Sequence, residues 1–173
     1  ASGRLRTSHS RATSGAALLP PVAVHFELGT TIGRYRLETQ LGTGGMGAVF
    51  AAHDPQLDRR VALKFLHGSQ KASSTERLVR EAQALARIAH PNVVTVFDVT
   101  THEGQVFLSM ELVEGTTLGE WLATRPPLPQ VLEAFVAAGK GLAAAHSVGV
   151  VHRDFKPSNV LRHHDGRVRV TDF

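Results

Sequence analysis

The chain has 173 residues and a formal net charge of +4, and 42% of its residues are hydrophobic. This length suits one domain, and this apolar fraction is enough for a core, so the composition excludes a largely disordered chain. Cysteine is absent, which excludes disulfides and thiolate zinc sites and favours a reducing, cytoplasmic setting. No uninterrupted apolar run approaches the about 18 residues of a transmembrane helix, and the mild charge does not predict nucleic-acid binding.

The first 33 residues differ in composition from the rest. Residues 1–14 contain three Arg, several Ser and Thr, and no acidic residue. Such a stretch buries too little apolar surface to offset the entropy of ordering it, so residues 1–33 are predicted to be a disordered tail or linker. An Arg- and Ser-rich transit peptide is the alternative. Because the first residue is Ala rather than Met, we expect the sequence to begin inside a longer protein.

Residues 35–112 show the pattern of a small sheet with one inserted helix. Alternating or β-rich segments predict five strands, at residues 35–41, 48–54, 59–66, 93–101 and 105–112. Between the third and fourth strands, residues 74–89 have helical spacing. One face of this helix would carry Leu78, Ala82, Leu85 and Ala89.

The chain becomes mostly helical after residue 112. Residues 117–125 predict a short helix that ends at two prolines, and residues 129–149 predict a long helix that ends at Gly149. The long helix is predicted to bury one stripe, formed by Val131, Phe135, Ala138 and Leu142. Two short strands, at residues 159–161 and 167–170, flank the turn HHDG.

The segment LGTGGMGAVF has the spacing G-x-G-x-x-G at Gly42, Gly44 and Gly47. A flexible hairpin is one interpretation. A dinucleotide-binding turn is another, but it requires a helix after the last glycine, whereas AVFAAHD is β-rich. The Walker A ending Gly-Lys-Ser/Thr is absent. A glycine-rich hairpin can instead bring its backbone close to nucleotide phosphates, with Val49 beneath it to cover the adenine.

The next strand ends in VALK, which places Lys64 within an apolar strand. A lysine that points inward needs a partner for its charge. Glu81, on the helix that follows, can supply that partner, and the ammonium could then clamp two phosphates. The alternative is a surface lysine and a solvated glutamate, which the order of these residues after the glycine loop disfavours.

The end of the chain carries the most specific pattern, VHRDFKPSNVL at residues 151–161 followed by TDF at residues 171–173. In order, the glycine loop, V-A-L-K, the helix glutamate, H-R-D-x-K-x-x-N and D-F resemble the protein kinase family over Tyr35–Phe173. The segments REAQALARIAHPNVV and HRDFKPSNVL are most similar to bacterial Ser/Thr kinases of the eukaryotic type. The chain would then stop within the family's Asp-Phe-Gly motif.

The resemblance implies an α+β kinase fold. Residues 34–110 would form the N-lobe, a five-stranded antiparallel sheet with one helix, and residues 111–173 would form the hinge and the first, mostly helical part of the C-lobe. Asp154 would orient the substrate hydroxyl and accept its proton, and Asn159 and Asp172 would hold Mg²⁺ (or Mn²⁺). Lys156 would lie near the transferred phosphoryl group and indicates Ser/Thr specificity, and Arg153 is typical of kinases switched by activation-loop phosphorylation.

The resemblance also implies an ATP site. Its residues would be Leu41, Gly42, Thr43, Gly44, Gly45, Met46, Gly47, Val49, Ala62, Lys64, Glu81, Met110, Glu111, Val113 and Leu161. SMELVEG would be the hinge, with Met110 behind the adenine and the backbone of Glu111 and Val113 bonded to its edge. Ala62 would cover the purine from above, and Leu161 would support it from below.

The implied function is that of a Ser/Thr protein kinase, which transfers the γ-phosphoryl group of ATP to a Ser or Thr hydroxyl of a protein substrate. Because the activation segment and later helices of the family are absent from this sequence, the chain is expected to bind nucleotide with little or no activity. A nucleotide-binding pseudokinase or scaffold is the alternative, and a dinucleotide-dependent oxidoreductase is disfavoured. The ten histidines do not have the spacing of a zinc site, and His152 is interpreted as structural.

Overall fold

The computed structural model of the chain describes residues 26–44, 47–66 and 72–173. In these ranges the elements in chain order are β1 (Thr31–Ile32), β2 (Tyr35–Gly44), β3 (Gly47–Asp54), β4 (Arg59–Leu66), α1 (Ala72–Leu85), β5 (Val96–His102), β6 (Gln105–Glu111), β7 (Gly115–Thr117), α2 (Leu118–Ala123), α3 (Leu128–Ser147), a single 3-10 turn (Pro157–Asn159), β8 (Val160–His163) and β9 (Val168–Val170). The tail predicted for residues 1–25, and the roles implied for Gly45 and Met46, lie outside the described residues.

The first half of the chain forms a six-stranded antiparallel sheet in the order β1-β2-β3-β4-β6-β5. The five strands and the inserted helix that the sequence predicted are confirmed. The short β1 is an addition, paired to the start of β2 through Thr31–Arg36 and Ile32–Tyr35. An α+β fold with this N-lobe sheet is therefore present.

The residues before β1 also pack on the sheet. The ring of Phe26 lies 4.4 Å from that of Phe65 and 6.1 Å from that of Phe50, centroid to centroid. Aromatic burial of this kind stabilises a segment that has no periodic pattern of its own. The prediction that the tail or linker extends to residue 33 is therefore wrong at Phe26, which packs on the core, and at Thr31–Ile32, which form β1.

The central strand β4 is buried on both faces, and its side chains alternate between them. Val61, Leu63 and Phe65 join the aromatic core on one face. Ala62 and Lys64 consequently point to the opposite face, where the chain makes a cleft with its second half. The strand thus carries a lysine at an almost fully buried position.

The second half consists of α2, α3 and a three-stranded sheet in the order β7-β8-β9. The two predicted helices and the two predicted strands are confirmed, and β7 is an addition. Thr117 starts α2 with a capping box, in which its hydroxyl accepts from the Glu120 amide and the Glu120 carboxylate accepts from the Thr117 amide. In the described part of the chain, no helix is both long and apolar enough to cross a bilayer.

The buried stripe of α3 differs from the predicted one. Its members are small: Ala134, Ala138, Gly141 and Ala145. Of the predicted stripe only Ala138 is fully buried, and Phe135 is 38% exposed. Small residues are needed because the backbone of Asn92 passes close to the helix; a Cβ on Gly141 would lie 2.3 Å from the Asn92 carbonyl oxygen. Apolar periodicity ranks large side chains first and therefore selects the wrong face.

The loop between α1 and β5 is hydrogen-bonded to β9 in the second half. The Val94 amide donates to the Val170 carbonyl, and the Val170 amide donates to the Asn92 carbonyl, both at 2.9 Å. The Asn92 side-chain amide donates to the Val168 carbonyl at 2.9 Å. These bonds fix the end of β9, and with it Asp172, against the N-lobe.

Candidate active site

Two charged side chains meet across the cleft between the halves. The Lys64 ammonium donates to the Asp172 carboxylate at 2.8 Å, although 108 residues separate them. The side chains are 11% and 32% exposed, so each charge is largely withdrawn from water and the pairing offsets part of that cost. Sequence reasoning predicted Glu81 as a partner of Lys64 and placed Asp172 at the same site, and the pairing with Glu81 stays a prediction.

A cavity of about 340 Å³ adjoins this ion pair. It lies between α1, the sheet and the residues after β9, and Lys64, Glu81, Met110, Asp172 and Phe173 are among its lining residues. Three residues predicted to share one cleft, Lys64, Glu81 and Asp172, therefore do so. Met110 also belongs to the apolar region predicted to hold adenine.

The predicted purine site is an apolar cluster that shares Val94 and Met110 with this cavity. Ala62, Val94 and Met110 are its buried members, and Val49, Leu112, Val113 and Leu161 pack against them. Val49 and Ala62 come from the N-lobe sheet, whereas Leu161 comes from β8. The cluster thus offers an apolar surface from both halves of the chain, as a flat aromatic ligand requires.

The glycine-rich segment is a hairpin between two strands. Gly42 pairs with Val49, Thr43 with Ala48 and Gly44 with Gly47. Gly47 has φ +134°, and a Cβ there would meet the carbonyl oxygen of Phe65, so a side chain is sterically excluded. Because β3 rather than a helix follows Gly47, the dinucleotide-binding interpretation is wrong. Leu41, Gly42 and Thr43 in this hairpin are exposed.

The segment 154–159 gathers an acid, a lysine and an asparagine. The Lys156 ammonium donates to Asp154 Oδ2 at 2.7 Å. The Asn159 side-chain amide donates to the Asp154 carbonyl at 3.0 Å and to its Oδ2 at 3.3 Å. The hydrogen bond from Lys156, followed by its positive charge and the bond from Asn159, holds the pKa of the Asp154 carboxyl below its usual value. Asp154 is therefore an ionised acceptor at neutral pH.

A buried histidine ties this segment to Asp172. His152 is 4% exposed, and its Nε2 bonds to the Thr171 carbonyl at 2.8 Å. The Thr171 amide in turn donates to the Asn159 carbonyl at 3.0 Å. The ring of His152 also lies 4.7 Å from that of Phe173. These contacts agree with the structural role expected of His152.

The backbone is strained at both motifs. Arg153 has φ +60° and Asp172 has φ +62°, a left-handed conformation that costs a non-glycine residue about 1 kcal/mol or more. Strain of this kind persists where surrounding contacts impose it, and it concentrates at functional sites. Here it turns the Asp172 carboxylate back toward Lys64.

The donor set suits a hard divalent cation that is shared with a phosphate. Asp172 supplies a carboxylate, and the amide oxygen of Asn159 points away from Asp154 because its nitrogen faces that residue. Among the described residues, no group of three or more His, Cys, Asp or Glu could hold a metal by itself. Mg²⁺ is commonly bound by one or two carboxylates together with substrate phosphates, so these residues fit Mg²⁺ that arrives with a nucleotide.

Two polar residues at the site were not singled out in the sequence. Asn92 contributes the hydrogen bonds that join the loop before β5 to β9. Arg169 is 9% exposed, and its guanidinium donates to the Glu111 carboxylate at 2.9 Å. The signal for Arg169 is its place between two valines of a short apolar strand, where a charged residue needs a partner.

Comparison with known proteins gives one family. The protein kinase domain family matches residues 35–173. Serine/threonine-protein kinase PrkC of Bacillus subtilis is 40% identical over 149 residues, which are 82% of this chain and 22% of PrkC. Serine/threonine-protein kinase PknL of Mycobacterium tuberculosis is 42% identical over 147 residues, which are 81% of this chain and 36% of PknL. The chain thus spans well under half the length of these curated relatives.

Solved structures of kinase domains also resemble this chain. The crystal structure of the Mycobacterium tuberculosis PknI kinase domain superimposes with a TM-score of 0.74 at 30% sequence identity, covering 86% of this chain and 63% of that domain. The double mutant C20A_R136A of the same domain gives a TM-score of 0.77 at 29% identity, with 87% and 62% covered. Sequence and structure together show that this chain belongs to the protein kinase family, on its bacterial Ser/Thr branch.

Proposed function

We propose that the chain is the nucleotide-binding and catalytic-loop part of a kinase that transfers the γ-phosphoryl group of ATP to a Ser or Thr hydroxyl of a protein. The observation that carries this proposal is the 2.8 Å contact between Lys64 and Asp172, because it brings a phosphate-binding cation and a metal-binding anion to one point. We also propose that residues 34–110 act as the N-lobe and residues 111–173 as the hinge and part of the C-lobe.

The purine would lie in the apolar cluster, with Val49 and Ala62 above it and Leu161 below it. Backbone groups of Glu111 and Val113 would bond its edge. The triphosphate would then run beneath the β2–β3 hairpin toward Lys64, whose ammonium binds phosphate oxygens as a point charge. The glycine-rich hairpin would cover the phosphates, since Gly42, Gly44 and Gly47 carry no side chain and allow backbone amides to approach them.

Asn159 and Asp172 would hold Mg²⁺ or Mn²⁺, which when bound neutralises charge that develops on the phosphate oxygens. Asp154 would accept a hydrogen bond from the substrate hydroxyl and aim its oxygen at the γ-phosphorus. As the new P–O bond forms and the bond to ADP breaks, the hydroxyl proton passes to Asp154. Because its pKa is lowered, Asp154 is a weak base, so its main contribution is orientation, with proton transfer late in the step.

Lys156 would support the same step from the other side of the carboxylate. Its ammonium is 2.7 Å from Asp154 and half exposed, so it can also reach a phosphoryl oxygen. A cation here stabilises the negative charge of the transferred phosphoryl group, while Asp154 keeps its hydrogen bond with the substrate hydroxyl. The spacing of Asp154 and Lys156 supports Ser/Thr rather than Tyr as the acceptor, by the resemblance to the bacterial branch.

We further propose that the 173-residue chain binds nucleotide but transfers phosphate to protein weakly or not at all. The support is α3, where Leu128, Leu132 and Val136 are 67%, 57% and 57% exposed. An apolar helix face of this size is normally covered in a stable, active domain. A nucleotide-binding scaffold is the second candidate, and this exposed face is the observation that favours it.

Titration of the chain with ATP and Mg²⁺, with adenosine and with NAD tests the proposal. ATP with Mg²⁺ should bind and NAD should not. Lys64→Met should weaken ATP binding about 10- to 100-fold by removing a charged hydrogen bond of about 1.5–3 kcal/mol, and should leave adenosine binding unchanged. Asp172→Asn should remove the Mg²⁺ dependence. Lys140→Met, which removes an exposed lysine on α3, is the matched control.

Two outcomes would overturn the proposal: NAD bound in preference to ATP, or ATP affinity that Lys64→Met leaves unchanged. Transfer of labelled γ-phosphate separates the two candidates. If Asp154→Asn abolishes transfer to a protein, the chain is part of a kinase. If a longer form with a complete kinase domain binds nucleotide without transfer, it is the scaffold.

A further inference from the structure

The ion pair of Arg169 and Glu111 connects the strand that leads to Asp172 with the hinge. Arg169 Nη2 lies 2.9 Å from Glu111 Oε1, and the side chains are 11% and 26% exposed. A pair so far withdrawn from water holds its geometry more firmly than a surface pair. Its members come from β9 and from the last residue of β6, which sequence patterns do not link.

The register of the small sheet places Arg169 at the proposed purine site. Arg169 pairs directly with Leu161 of β8, and directly opposed residues of an antiparallel pair point to the same face. Val168 and Val170, its neighbours in β9, point to the other face and pack with α3. Arg169 therefore lies beside Leu161, the residue proposed to support the purine from below.

The other end of the pair is the hinge residue whose backbone is proposed to bond the adenine edge. The Glu111 amide donates to the Thr95 carbonyl at 2.9 Å, which holds the main chain on one side. The Glu111 side chain is held by Arg169 on the other side. The Glu111 main chain is thus held by its register with Val61 of β4 and by Thr95, and the ion pair adds a link from its side chain to β9.

We propose that Arg169 is a positioning residue for the purine of ATP, which sets the distance between the hinge backbone and the supporting Leu161 through its ion pair with Glu111. This inference rests on the proposed nucleotide site. A displaced hinge would lengthen the hydrogen bonds that distinguish adenine from guanine, so Arg169 would affect purine affinity and purine selectivity. It would leave the phosphate contacts of Lys64 intact.

The test compares adenosine, ATP with Mg²⁺ and GTP with Mg²⁺ as ligands of the full chain. Arg169→Met should weaken adenosine and ATP by the same factor, about 10-fold, which corresponds to a loss of about 1.4 kcal/mol, and should narrow the preference for ATP over GTP. Lys64→Met should weaken ATP alone. This contrast separates an effect on the purine from an effect on the phosphates. A general loss of structure would weaken ATP and GTP by the same factor, so it would not narrow the preference for ATP.

A double-mutant cycle tests whether Glu111 mediates the effect. If it does, Glu111→Gln combined with Arg169→Met should weaken adenosine no more than Arg169→Met alone. Arg169→Lys keeps the charge but has fewer donors, so it should fall between wild type and Arg169→Met. Arg167→Met, which removes an exposed arginine bonded to Asp165 two residues away, is the matched control and should leave all affinities unchanged.

Three results would overturn the inference: unchanged adenosine affinity in both Arg169→Met and Arg169→Lys, an additive cycle, or a loss confined to ATP. Trp121 fluorescence verifies that each variant is folded during titration. If Arg169→Met is not folded, Arg169→Lys replaces it in the comparison. If the wild-type chain binds neither adenosine nor ATP, the proposed nucleotide site itself fails. If instead the wild type binds these ligands and Arg169→Met binds them equally well, only the role of Arg169 fails.

Discussion

Two glycines of α3 should respond to alanine in opposite directions. Gly139 is exposed, and a Cβ there would meet nothing within 4 Å. Gly141 is buried, and its Cβ would lie 2.3 Å from the Asn92 carbonyl oxygen and 3.3 Å from Val170 Cγ2. Both substitutions gain about 1 kcal/mol of helix propensity, so any difference between them reports the contact with Asn92.

The magnitude follows from that contact. Real Cβ atoms essentially never approach within 3.0 Å, so Gly141→Ala must move the helix and the Asn92 backbone apart by at least 0.7 Å. Overpacking of this kind costs about 1–3 kcal/mol. The same carbonyl accepts the Val170 amide at 2.9 Å, and weakening that bond adds about 1 kcal/mol. After subtraction of the propensity gain, we expect a net destabilisation of about 1–3 kcal/mol, against a stabilisation of about 0.5–1 kcal/mol for Gly139→Ala.

Urea unfolding measures both changes. Trp121 is the single tryptophan, and it packs against the core to which α3 belongs, so its fluorescence follows the unfolding of this region. The midpoint should fall by about 0.5–2 M urea for Gly141→Ala and rise for Gly139→Ala, with unchanged slope. A Gly141→Ala protein as stable as wild type would show that the close approach of α3 to Asn92 is not maintained, and the account of the buried stripe would be wrong.

Two further predictions concern side chains in the two halves. Burial alone would raise the pKa of the Asp54 carboxyl, but hydrogen bonds from Arg34 and the Gln56 backbone outweigh it and hold the pKa low. Asp54 therefore adds stability that is complete above its unfolded pKa of about 4 and is lost as pH falls further. Between about pH 5 and pH 2, chemical denaturation should show that the free energy of unfolding falls more steeply with pH for wild type than for Asp54→Asn. Equal slopes of the free energy of unfolding against pH would contradict this. Thr117→Ala removes the cap of α2 and should cost about 1 kcal/mol in urea unfolding, whereas Thr117→Ser should cost little, and a loss as large in Thr117→Ser would argue against the cap.

The sequence predicted most elements because their patterns are local. The alternation of YRLETQL in β2 and the helical spacing of residues 74–89 are visible within single segments, and the ordered motifs from Gly42 to Asp172 predicted one site. The short strands β1 and β7 were missed, since two or three residues show no period. Phe26 was missed for the same reason, as its burial depends on rings of β3 and β4 that are distant in sequence.

Contacts between distant segments explain what the sequence left open at the site. Lys64, Glu81 and Asp172 line one cavity, as the ordered motifs predicted, and the Lys64 ammonium forms a direct ion pair with Asp172. That contact requires β9 to be docked on the loop at Asn92 and Asp172 to adopt a left-handed backbone, and neither feature has a local sequence signal. The burial of Arg169 likewise depends on the register between β8 and β9.

The hydrogen bonds between residues 92–94 and β9 mean that the polypeptide is joined across the cleft at two places. If the segment after Glu111 were the single connection, the sheet could rotate in any direction about that segment. The second connection, in the loop between α1 and β5, restricts this movement to rotation about a single axis through both attachments, which is a hinge motion. Points far from that axis travel furthest, while the carbonyls near Val94 and Val170 stay almost still.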